Sequence, residues 1–80
     1  MEDQAVFNRI EELSEEEHEL LRRAGSGGLS QEEHARLNDL QVQLDRCWDL
    51  MRQRRARRDA GLEPDDAQAR DAGTVEDYWQ

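Results

Sequence analysis

Lysine is missing from this 80-residue chain, cysteine and proline occur once each, and aromatic side chains make up only 5%. With Cys47 alone, no intrachain disulfide can form. A lone thiol on an apolar stripe behaves as a small hydrophobe, as expected of a protein kept in a reducing cytoplasm. No apolar run approaches the roughly 18 to 20 residues of a membrane span, and the acidic start lacks the basic head of a signal peptide. Also missing are a nucleophile with an adjacent base and a paired-acid cleft, so no enzyme and no cofactor is expected. The GSGG stretch at 25–28 lies between helical patterns, not between a strand and a helix, and is read as a turn, not a phosphate cradle.

What is present is charge, unevenly spread. The net charge is −9, yet residues 1–49 carry 13 acidic and 5 basic side chains, 50–60 carry 1 and 5, and 61–80 carry 6 and 1. An acidic body disfavours general affinity for nucleic acid or an anionic membrane; the band at 52–58, RQRRARR, is the local exception.

The chain is organised around residues 30–58, uninterrupted by Gly or Pro. Leu37, Leu40, Leu44, Cys47 and Met51 recur at alternating steps of three and four, which places them on one helix face. Ser30 with Glu33 three residues later makes a capping box, and Arg57, Arg58 and then Gly61 and Pro64 mark the end. A second amphipathic helix is predicted over 3–24, with Val6, Ile10, Leu13, Leu20 and Ala24 in line and Glu11, Glu12, Glu15, Glu16 and Glu19 opposite.

A short glycine turn at 25–29 folds the two into an antiparallel, coiled-coil-like hairpin, so the expected class is all-α. Facing residues should sum to roughly 54: Ile10 meets Leu44, and Val6 lies near Cys47 and Trp48. The longer helix spans about 43 Å and its partner about 32 Å. Its Arg-rich tip is therefore expected to overhang, unpaired, where only a second copy could bring it to an acidic band. Eighty residues support only a marginal core, and dimerisation to a four-helix bundle is the expected remedy. The division expected is a hairpin over 1–60 followed by a linker and an acidic aromatic tail over 61–80, extended or briefly helical.

Helical projection puts Phe7 level with Trp48, and His18 level with His34, on one side of the hairpin. Phe7, Trp48, Asp45, Arg52, Arg55 and Arg58, together with Tyr78 and Trp79 of the tail, are the candidate protein-interaction residues, since aromatic and Arg side chains anchor interfaces. Partners expected are a second copy, another protein, or both. The alternative is nucleic acid, or its machinery, bound through 52–58. A third reading is a metal-binding bundle with His18, His34, Glu17 and Glu33 as ligands. There Glu15 stands three before His18, but Gln31 replaces the second Glu of the motif. The tail can fold back on the cationic tip or serve as a docking peptide, with Thr74 as a candidate cap.

The stretches EEEHEL, EEHARL, DRCWDLMRQRRARRDAG and VEDYWQ resemble a family of short actinobacterial proteins of unknown function, over nearly the whole chain. The resemblance implies a single helical domain and carries no activity, substrate or site over to this chain; the glycine turn here is longer than that family's pattern.

Overall fold

The computed structural model describes residues 2–79, with side chains described as far as Glu76. Three helices follow in order: α1 over Asp3–Gly27, α2 over Gln31–Asp59 and α3 over Ala72–Trp79, with a 3-10 turn at Pro64–Asp66 between the last two. No strand occurs among the described residues.

The predicted stripes form the core. Val6, Ile10, Leu13 and Leu20 of α1 are buried against Leu40, Leu44 and Leu50 of α2, with Leu37, Cys47 and Met51 packed at the margin. Ala24 is exposed instead. An ion pair and a hydrogen bond across the seam give an antiparallel register close to the expected one: Arg36 holds Glu16 (Nη2 to Oε1, 2.9 Å) and Arg9 donates to Gln43 at 3.0 Å.

The turn differs from expectation. Helix α1 continues through Gly25 and Gly27, and the chain breaks only at Gly28. There φ is 82° and ψ 173°, a combination in practice open only to glycine. One residue needs that freedom; the other glycines merely weaken the last helical turn, at about 1 kcal/mol each relative to Ala. Ser30 then caps α2 as predicted, its Oγ accepting from the Glu33 N–H at 3.1 Å while the Glu33 carboxylate accepts from the Ser30 N–H at 3.0 Å.

Helix α2 ends in a Schellman motif. The Leu62 N–H donates to the Arg57 carbonyl at 2.7 Å and the Gly61 N–H to that of Arg58 at 3.1 Å, with Gly61 at φ 76°. The chain then returns along α2. The 3-10 turn pairs the Glu63 and Pro64 carbonyls with the Asp66 and Ala67 N–H groups, and the long side chains of α2 add donors to these and to the carbonyls farther along. Arg57 donates to the Glu63 carbonyl at 2.7 Å, Arg54 to Pro64 at 3.3 Å, Gln53 to Gln68 at 2.8 Å and Arg46 to Arg70 at 3.0 Å. The donor numbers fall as the acceptor numbers rise, which defines an antiparallel strap. Asp71, not Thr74, starts α3: its carboxylate accepts from the Thr74 N–H at 2.9 Å. Val75 is then buried, 1% exposed.

Helix α2 thus packs against α1 on one flank and the strap on the other. The molecule measures 50 × 25 × 15 Å. Its least dimension is under a third of its greatest, so the body is elongated and flat.

Candidate protein interface

The broad face along the α1–α2 seam carries the aromatic pair. Phe7 and Trp48 meet edge to face, centroids 6.4 Å apart at 76°, and remain 44% and 46% exposed. Their spacing on the two helices, four residues before Glu11 and one after Cys47, sets both beside the core stripes, not on them. Beside the pair lies a cleft of about 430 Å³, floored by Met51 and rimmed by Asp3, Arg52, Arg55 and Arg58. On the other side of Trp48 a hollow of about 460 Å³ is lined by Glu17, Gln41, Asp45 and Glu76, among others.

Five of the named candidates, Phe7, Trp48, Arg52, Arg55 and Arg58, therefore line one cleft, and Asp45 lines the adjoining hollow. The side chains of Tyr78 and Trp79 lie outside the described residues.

The expected unpaired tip is not there. Arg54, 5% exposed, donates from Nε to Asp3 at 2.6 Å and from Nη1 to Asp65 at 3.0 Å. Arg58 reaches the second Asp3 oxygen at 2.8 Å, and Arg57 reaches Asp66 at 3.4 Å. The cause is the lean of helical side chains toward the helix N-terminus. It carries these guanidinium groups back from the overhang to the first turn of α1, while the strap supplies the remaining carboxylates. The acidic band of α1 meets α2 instead within the hairpin, where Glu16 pairs with Arg36.

The electrostatics follow these contacts. Hydrogen bonds from Arg54 and then Arg58 hold the Asp3 carboxyl below the usual range, and Arg54 does the same for Asp65. Asp3 and then Asp65 raise the affinity of Arg54 for its proton. Glu76 goes the other way: its hydrogen bond to Asp45, and then burial, push its carboxyl up. Glu76 Oε1 is buried with no hydrogen-bond partner. Burial also pushes the Cys47 thiol up, which favours its protonated form.

The metal ligands do not converge. Among the described residues no group of three or more His, Cys, Asp or Glu is placed to hold an ion. Glu33 is occupied by the cap and by Arg23 at 2.6 Å, Glu17 lines the acidic hollow, and His18 and His34 are exposed. Among the described residues no helix is long and apolar enough to cross a membrane.

Sequence reasoning missed the node at Arg54 and the buried Asp49, which takes Gln53 at 3.0 Å and Arg70 at 3.1 Å. The available signal was the Asp and Arg on the third face of α2, matched by opposite charges at 65, 66 and 70.

These features define a small all-helical protein, a hairpin of two long helices with its C-terminal segment strapped along the longer one. The chain belongs to the family described as protein of unknown function (DUF2630), which matches residues 2–80. It is 42% identical over 77 residues to uncharacterized proteins of Mycobacterium tuberculosis (strain ATCC 25618 / H37Rv) and of Mycobacterium bovis, covering 95% of this chain and 88% of each relative. No solved structure matches it.

Proposed function

We propose that the protein is a non-enzymatic, cytoplasmic protein-interaction module, self-associating, that works through the face centred on Phe7 and Trp48. The observation that carries this is a half-exposed aromatic pair set in a cleft with three Arg side chains at its rim. Large aromatic and Arg side chains supply most of the binding energy in protein interfaces. The nucleic-acid alternative loses support from the same geometry, because Arg54, Arg57 and Arg58 already hold carboxylates.

Incorporating a photocrosslinking residue in place of Trp48 and irradiating intact cells tests the reading. Adducts to polypeptide, diminished when Phe7→Glu is added, are expected. Adducts to nucleic acid alone, or none, would reject it.

A further inference from the structure

Along α2, Gln41, Asp45, Trp48, Arg52 and Arg55 succeed one another at steps of four, three, four and three residues. That spacing forms one continuous stripe, of the kind that pairs helix with helix. Trp48 stands at its centre. Toward the N-terminus the stripe runs into carboxyls, Asp45 with Glu76 and then Glu17 of α1 across the hollow. Toward the C-terminus it runs into guanidinium groups. Turned end for end, the stripe is its own complement.

We propose that this face is the interface of an isologous homodimer, two copies of α2 crossing antiparallel at Trp48, with Arg52 and Arg55 of each copy over the carboxyls of the other. The proposal rests on the interaction reading above and names its partner.

A two-fold axis at Trp48 sets each residue opposite the one equally far on the other side. At about 1.5 Å per residue, Arg52 lies about 6 Å beyond the axis and Asp45 about 4.5 Å before it, a mismatch that a flexible Arg spans. Arg55 comes level with Gln41, which lines the hollow together with the Glu17 carboxylate.

The acidic end supplies the second, independent observation. The Asp3, Glu16 and Asp65 carboxylates each rest on an Arg. Glu76 instead rests on another carboxyl, Asp45, and keeps a buried oxygen with no hydrogen-bond partner. Once the proton they share is lost, two acids in contact call for a cation, and the opposite end of the same face offers one. Arg55 is exposed and makes no ion pair among the described residues. An acidic segment of some other protein would use the basic end alone and leave Asp45 and Glu76 as they are, which decides for a second copy.

Sedimentation velocity on the full chain, with circular dichroism to verify helicity, tests the geometry. Wild type should sediment at twice the 9.4 kDa chain mass. Asp45→Arg alone places Arg against Arg52, and Arg52→Asp alone places Asp against Asp45; each should weaken the dimer about tenfold or more. An equimolar mixture of the two variants should dimerise again, because both crossed contacts then join opposite charges. If either variant loses helicity, Arg55→Glu, which has no ion pair within the chain to lose, should give the same weakening. A monomeric wild type, undiminished dimers of the single variants, or a mixture that stays monomeric each overturns the proposal. A monomer still crosslinked through position 48 to a different polypeptide rejects the homodimer and leaves the interaction reading standing; absence of any polypeptide adduct removes both.

Discussion

The two flanks of α2 are held by different physics. Toward α1 it presents Leu37, Leu40, Leu44 and Met51, and a second regular helix, which satisfies its own backbone, needs only that apolar surface. Toward the strap it presents Arg46, Gln53, Arg54 and Arg57, which donate to the strap's carbonyls and carboxylates, and Asp49, which accepts from the strap's Arg70. The contrast gives RQRRARR an ordinary explanation. Much of that cluster is a row of donors for the chain's own return segment.

The largest expected effect is on the apolar flank. Leu40→Ala, at a side chain 0% exposed, should cost about 2 to 5 kcal/mol and lower the thermal midpoint by several degrees for each kcal/mol, with all helices melting together. A small shift confined to α3 would mean that the core lies elsewhere.

Arg54→Met sharpens the comparison, because it removes donors from the polar flank and keeps the bulk. Its effect should be smaller than that of Leu40→Ala, since the stranded Asp3 and Asp65 side chains are 32% and 58% exposed and regain water. Amide exchange should accelerate from Leu62 through Val75, while the seam residues Ile10 to Leu13 and Leu40 to Leu44 stay protected. Equal acceleration at the seam would show that the two flanks are not separable.

The smallest effect is that of pH, with opposite signs at the two ends of the strap. Asp3 and Asp65 have lowered folded-state values, so their stabilisation is full above the usual carboxylate range and lost as pH falls through the lowered ones. Glu76 has a raised value, so its contribution is present in acid and lost as pH rises through that value. Thermal midpoints measured across acid pH should lose the first dependence in Asp3→Asn and the second in Glu76→Gln. Unchanged profiles in both variants would refute the assignments.

The hairpin was legible because periodicity, a capping box and a glycine cluster all pointed the same way. The seam and the meeting of Phe7 with Trp48 follow from helix geometry alone. The fate of the Arg tip was not legible, since overhang counts Cα positions while a guanidinium sits a turn back from its own. Nor does composition say which glycine must leave the right-handed region; only Gly28 does so at the turn. The strap carries no repeat of its own, and its course is recorded only in the opposite charges on α2.

A protein this thin has almost no depth. Substitutions that stay on either broad surface leave the buried seam as it is, whereas the inward positions of α2, braced along both edges, tolerate little.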